Sequence, residues 1–563
     1  MKRTGPRGVS APTDSDPVAP AWTVRRILVL GLTPLIVLIL LAWAGIPLGQ
    51  PDYLIYRYSE WRIVRLMRAC VPALISAGMI WSLHRSRHDR GTLARWVCVT
   101  GATALAAWTW FAPPEPVSQH MFNLSSPSHD GAFIWEADEV GDPRTYVSAV
   151  FYERLRLDVA RMRGTRVLSN PPGATLLAWA CQRLILDYPG WRNFADRILN
   201  WADAAPDGAP RSDPSPHPAN RGAEAPEEGW PEDFRTAVLF SLVLTLMWAL
   251  SWPLAYATAR LYLPPAAALI VGTACAWNPA TLNFTPGKDP AQVLTTLMIV
   301  YPALHGFLRG SAAWSCLSGA ALIAGLTLGL VHAWVALILA AGTGLCARRS
   351  GWAWRWFKVN LLPACVGAGL SVAALYALTG WNLPRTFVAV TLRYPQIQVH
   401  LREGWYTFVG FPVFLLFAGP TFWVFAVAAI RVMTAGEGLR RAADASTEVS
   451  DVAAAAGRWT TLAATPCLTY CYFFANNNEI ARLWMPFLAL LTVSLSMMLR
   501  DRLTSPTGAS VPTPRAADAP PGRSVAPVVL VLLALQVGVT LMHWSLMDAR
   551  EAEWRLRTGV NWG

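Results

Sequence analysis

Several groups of residues in this chain have types and spacings that can do chemistry. His129-Asp130-Gly131 is followed by the adjacent acids Asp138-Glu139, then by Ser169-Asn170-Pro171-Pro172-Gly173, and much later by Asn476-Asn477-Asn478-Glu479-Ile480-Ala481-Arg482. A carboxylate in the first stretch can take the proton of a hydroxyl while a new bond forms to that oxygen. The pair Asp138-Glu139 can do the same, or can offer oxygen ligands to a divalent cation such as Mg or Mn. The plain alternative for all three acids is a solvated acidic loop. Arg482 follows Glu479 at i+3, so on a helix the two share a face. There the guanidinium can hold a phosphate while Glu479 orients it, or the pair can simply cap a helix. Lys288, in Thr285-Pro286-Gly287-Lys288-Asp289-Pro290, and Arg402, which follows Arg393 and His400, are further cations. A departing phosphate needs one or two such donors around its developing charge. Otherwise each is an interfacial side chain whose head reaches for water. A lone His332 reads as hydrogen-bonded packing.

The elements that must position these groups are membrane spans. Of 563 residues, 54% are hydrophobic and only 15% charged, against about a quarter charged in a soluble protein. Apolar runs of about 20 residues recur along most of the length, enough for a helix to cross a bilayer. The short alternating segments of a membrane barrel are missing. The expected fold class is therefore an all-α polytopic membrane protein. Spans are predicted near 27–45, 67–83, 95–112, 236–257, 264–282, 291–308, 312–330, 332–347, 358–379, 407–430, 459–475, 483–499 and 526–545, about 13 in all.

The net charge of +12 (47 Lys+Arg, 35 Asp+Glu) would suit a nucleic-acid partner. The arginines, however, sit in short loops between spans: Arg85, Arg87, Arg90 and Arg95; Arg348, Arg349, Arg355 and Lys358; Arg431, Arg440 and Arg441; Arg500, Arg502 and Arg515. That is the positive-inside pattern, which needs no nucleic acid. Residues 1–26 read as a basic cytoplasmic tail before a retained signal-anchor, which places the acidic stretches and Arg482 together on the outer face. The nine cysteines fall mostly within apolar runs and show no metal-ligand spacing.

Within the large outer loop, 113–235, Thr145 to Met162 places Val147, Val150, Phe151, Leu155 and Val159 on one helical face. A second interfacial helix is predicted from Pro172 to Leu186, opened by Pro171-Pro172 with Gly173 allowing close approach. Residues 203–231 read as a flexible insertion and 501–525 as a cytoplasmic linker. Residues 526–563 read as a last span and outer tail.

This order of features resembles the membrane glycosyltransferases of the type C (GT-C) fold. They include the protein O-mannosyltransferase, lipid A aminoarabinose transferase and arabinosyltransferase families. Ser169-Asn170-Pro171-Pro172-Gly173 looks like their His-Pro-Pro-Gly motif, with Asn170 in place of the histidine. Asn478 to Trp484 looks like their Gly-Glu-X-Ala-Arg-X-Trp stretch, and Gly325–Trp334 like the turn between their fifth and sixth core spans. The resemblance covers roughly residues 95–500 and leaves 27–94 as an additional N-terminal pair of spans.

It implies a polyprenyl-phosphate-linked sugar as donor, an acceptor hydroxyl on a glycan, lipid or protein, and inversion at the anomeric carbon. It also implies a base among Asp130, Asp138 and Glu139, a periplasmic site, and residence in the bacterial inner membrane. The alternatives from other classes are a transporter or flippase for lipid-linked glycans and a non-catalytic cell-envelope assembly subunit. A transporter calls for ionisable residues at mid-membrane, whereas here they crowd one face.

Overall fold

The computed structural model describes residues 24–44, 48–50, 54–58, 130–156, 165–203, 230, 232–276, 278, 280–281, 285–397, 449–470, 485–504 and 547–549. These residues are overwhelmingly helical, as a chain must be where no water can satisfy its backbone groups. The helices are α1 (Val24–Trp43), α2 (Gly131–Ala137), α3 (143–154), α4 (Thr165–Ser169), α5 (Gly173–Asp187), α6 (Pro189–Asp203), α7 (Glu232–Arg260), α8 (Pro265–Ala276), α9 (Lys288–Arg309), α10 (Ala312–Leu328), α11 (Val331–Arg349), α12 (Ala353–Thr379), α13 (Leu383–Ile397), α14 (Val449–Tyr470) and α15 (Leu488–Thr504). Four of them, α7, α9, α11 and α12, are long and apolar enough to cross a membrane. The predicted spans at 67–83, 95–112, 407–430 and 526–545 lie outside the described residues.

Two predicted elements are seen in finer detail. Of the span expected over 264–282, Pro265–Ala276 is helical. Beyond it, the Asn278 side chain accepts from the Ala280 amide at 3.0 Å and Thr281 Oγ1 donates to the Asn278 carbonyl at 2.8 Å. The first loop helix begins earlier than Thr145, because Asp142 caps it and Pro143 occupies its first turn. It also carries a π turn over Tyr146–Val150.

Three short strands are the exception to the helical rule. Leu48–Gln50 (β1), Leu54–Tyr58 (β2) and Met547–Ala549 (β3) form an antiparallel sheet in the order β1-β2-β3, with Leu48 opposite Tyr56 and Tyr56 opposite Ala549.

The long helices run antiparallel, so the bundle has two unlike ends. At one end lie the starts of α7, α9 and α11, with the loop helices α2 to α6 packed over them. Phe133 and Ile134 of α2, Ala174 and Ala178 of α5, and Ala195 and Leu199 of α6 bury against Phe240 and Leu244 of α7. Val147 and Phe151 of α3 and Leu168 of α4 bury against Trp381, Leu383 and Val390. At the other end are Arg309, Arg348, Arg349 and Arg355.

Glycine sets the tightest contact. A β-carbon at Gly319 would collide with the Ala364 carbonyl, and one at Gly367 with the Cys316 carbonyl, so α10 and α12 meet at backbone distance. The opposite face of α12 is open, with Leu362, Val366 and Leu370 exposed. Gly319→Val should therefore force the helices apart and cost on the order of 1–3 kcal/mol. The expected result is a lower thermal unfolding midpoint in detergent; an unchanged midpoint would show that the two backbones do not meet there.

Candidate functional site

Helix α9 starts at Lys288 behind Gly287, which has no side chain to cap it. The missing acceptor comes from 158 positions away: the carboxylate of Asp130 accepts from the Lys288 backbone N–H at 2.6 Å. A helix start leaves its first N–H groups without intrahelical partners and carries partial positive charge, so a carboxylate is the best cap available. Asp130 itself stands at the start of α2, whose face of Phe133, Ile134 and Ala137 buries and so presses this acid against α9.

The Lys288 side chain folds into the same place. Its ammonium donates to the Asn170 side-chain oxygen, lies 3.6 Å from the Asp289 carboxylate and stands 5.6 Å from the Phe133 ring centre. Asp130, Lys288 and Asp289 are 4%, 4% and 5% exposed. Lys288 is therefore not a snorkelling interface residue, as its place at a span end allowed. A buried ammonium costs several kcal/mol unless it is paired and hydrogen-bonded, and here carboxylates, an amide and a ring face do that. Asn170, the departure from the histidine of the resembled motif, serves as a hydrogen-bond acceptor for the cation.

The neighbouring prolines hold that amide. Pro171 and Pro172 are buried, and Pro172 caps α5. A β-carbon at Gly173 would meet the Thr327 carbonyl, so α5 approaches the end of α10 as the motif Pro-Pro-Gly predicts.

Buried polar groups continue along α9. Gln292, one turn after Lys288, donates to the Leu328 carbonyl at 3.2 Å. Thr295 hydrogen-bonds His332 Nε2 at 2.7 Å, and His332 Nδ1 lies 2.7 Å from the Gly329 carbonyl, which agrees with the packing role read for this histidine. Thr296 Oγ1 donates to the Pro486 carbonyl at 3.0 Å, which ties in the short helix Met485–Phe487. His129, Arg402, Glu479 and Arg482 lie outside the described residues.

The other two predicted acids belong to a second cluster. Helix α2 separates Asp130 from Asp138 and Glu139 by about 12 Å or more along its axis. Asp138 accepts from the Gln182 amide, and Glu139 pairs with Arg154 at 2.9 Å while half of its side chain stays exposed. Arg154 also approaches Glu136 at 3.5 Å, and Tyr146 donates to Glu136 at 3.1 Å. Burial first, and the Glu136 charge second, hold the Tyr146 phenol well above its usual range. Asp138 and Glu139 are engaged by different neighbours, and among the described residues no three His, Cys, Asp or Glu side chains gather as metal ligands.

Two acids escaped the sequence reading. Asp289 stands next to Lys288 inside the quoted motif, and its position in the first turn of an apolar span was the available signal. Glu136 sits between apolar residues and near two exposed acids, and only its burial at 8% marks it out.

Helix α3 is clamped to the bundle. Arg144 donates to the Leu378 carbonyl at 2.9 Å, Tyr152 shares a 2.9 Å hydrogen bond with Thr386, and the Arg385 guanidinium stands 4.2 Å from the Tyr152 ring centre. Its capping residue Asp142 accepts from Thr145 Oγ1 at 2.7 Å and from the Thr145 amide at 2.9 Å. Comparison of the chain with protein-family models, with curated proteins and with solved structures finds no match, so the site stands on its own geometry.

The hydroxyl of Thr145, and then its amide, hold the Asp142 carboxyl below its ordinary value, which is about 3.9. A depressed carboxylate gives its stabilisation above the unfolded-state pKa and loses it as pH falls through the folded one. Hydrogen exchange of the amides at 144–146 should therefore be slower in wild type than in Asp142→Ala at pH 7, and the two should converge only below about pH 3.9. Convergence at a higher pH would show that the cap is not held ionised.

Proposed function

We propose that the chain is an integral membrane glycosyltransferase that takes a sugar from a polyprenyl-phosphate donor on the outer, periplasmic face of a bacterial inner membrane. The single observation that carries this reading is the buried cluster of Lys288, Asp130 and Asn170, where a loop acid, a loop amide and the cation of a spanning helix meet. It lies at the end of the bundle opposite the arginines. An ammonium preorganised at a helix start is the environment that a departing phosphate needs, because the donors are in place before charge develops.

The reading assigns Lys288 to the donor phosphate, with Arg482 and Arg402 as further cations and Glu479 orienting Arg482. Asp130 is assigned as the base in preference to Asp138 and Glu139, since it alone adjoins Lys288. In one inverting displacement, the acceptor oxygen bonds to the anomeric carbon while the bond from that carbon to the phosphate oxygen breaks. The hydroxyl proton passes to the carboxylate, and the electron pair leaves with polyprenyl phosphate. The topology that goes with this reading has thirteen spans and a cytoplasmic N-terminus. The acceptor is a glycan, lipid or protein hydroxyl.

The test is release of polyprenyl phosphate from a panel of synthetic polyprenyl-phosphate sugars by purified protein. Lys288→Gln and Asp130→Asn should each lose on the order of 10²-fold or more in rate. Asp138→Asn and Glu139→Gln, changes at the more exposed cluster, should stay within roughly twofold. Arg482→Ala should weaken donor use. No release with any donor by folded wild type would overturn the reading in favour of a lipid-linked glycan transporter or an assembly subunit.

A further inference from the structure

We propose that the arginine-rich end of the bundle holds one anionic phospholipid, its phosphate between Arg309 and Arg355 and its acyl chains along the open face of α12. This rests on the chain spanning a bilayer and is independent of the glycosyltransferase reading, whose site is at the other end.

Three helix ends build the place. Helix α9 ends at Arg309, followed by Gly310 with φ of 62°. Helix α11 ends at Arg348-Arg349, followed by Gly351 with φ of 74°. These left-handed glycines let the chain stop and reverse within a few residues, so the cations of successive helices collect at one level. The Trp352 ring lies 5.1 Å from that of Phe307, locking the second turn against the end of α9. A β-carbon at Gly310 would lie 3.2 Å from Arg355 Nη2, so the Arg355 guanidinium rests on the Gly310 turn beside Arg309.

Five cations, Arg309, Arg348, Arg349, Arg355 and Lys358, are exposed here. Among the described residues none of them pairs with a carboxylate. Two face rings instead: Arg349 stands 5.9 Å from the Trp459 ring centre, and Lys358 5.0 Å from that of Trp354. The negative ends of α9 and α11 supply about half a charge each, which leaves roughly four positive charges uncompensated. The helix ends therefore leave most of this charge available to an anion.

The apolar surface next to it says which anion. Trp354 and Phe357 stack at 5.4 Å with rings 8° from parallel, and are 66% and 38% exposed. Below them, Lys358 heads a line at i+4 spacing of Leu362, Val366 and Leu370, which are 47%, 49% and 64% exposed. An inorganic anion would satisfy the guanidiniums and leave this stripe unused. A phospholipid uses both, with its phosphate at the arginines, its glycerol level at the stacked aromatics and its chains on α12.

The test uses the full chain in phosphatidylcholine nanodiscs, with phosphatidylglycerol titrated in and counted by native mass spectrometry. Wild type should retain one phosphatidylglycerol saturably, and salt should weaken it. Arg309→Gln/Arg355→Gln should weaken it about 30-fold, the scale expected for two cations facing a lipid headgroup. Arg25→Gln/Arg26→Gln removes the same charge elsewhere and should leave the affinity unchanged; equal loss in both double variants would overturn the site. Should the first variant fail to insert, wild type alone decides. Equal retention of phosphatidylglycerol and phosphatidylcholine, or displacement of the lipid by millimolar inorganic phosphate, would overturn the proposal.

Discussion

The contact on which the rest of the described structure depends is the carboxylate of Asp130 on the backbone N–H of Lys288. It joins an outer loop to the first residue of a spanning helix, and the side chains that follow are ordered around it. A helix start with no cap of its own, a lysine that folds inward and a loop acid would each be costly in a dry place. Together they satisfy one another, which makes docking of the loop and completion of the helix end a single event. The polar groups further down α9 extend the same logic, since each buried donor from Gln292 to Thr296 is matched by a carbonyl or ring nitrogen of a neighbouring element.

The two ends of the bundle solve opposite problems. At the loop end, carboxylates and a cation are buried together, so charge is paired internally and solvent is kept away. At the other end, cations stand exposed, and among the described residues they face aromatic rings rather than carboxylates. The long helices connect these environments but carry few ionisable groups between them, as hydrocarbon requires. Packing of the helices themselves relies on close approach rather than on polar contacts. Gly319 and Gly367 bring α10 and α12 together so that α12 can spend its other face in lipid.

Much of this was legible from residue order. The apolar runs at 236–257, 291–308, 312–330, 332–347 and 358–379 correspond to α7 and α9 to α12, because period and length alone decide whether a segment can cross a bilayer. Pro171-Pro172-Gly173 marked the start of α5 to within a residue. The departures have local causes. Asp142 and Pro143 moved a helix start, and Tyr188-Pro189 opened a further helix, α6, whose polar face hid it among loop residues.

What the sequence by itself determined is the helical, membrane-type architecture, the separation of acids from arginines along the chain, and the short list of residues able to do chemistry. Hydropathy and charge act locally, so they can be read one segment at a time. Only the tertiary structure decided which of those residues meet. Asp130, Asp138 and Glu139 are equivalent on paper, yet packing of α2 against α5 and α7 sends Asp130 to Lys288 and the other two to Gln182 and Arg154. Lys288 reads as an interfacial cation and is instead buried, because its partners arrive from positions 130 and 170. Burial and pairing depend on which distant segments share a space, and no property of the residue alone encodes that.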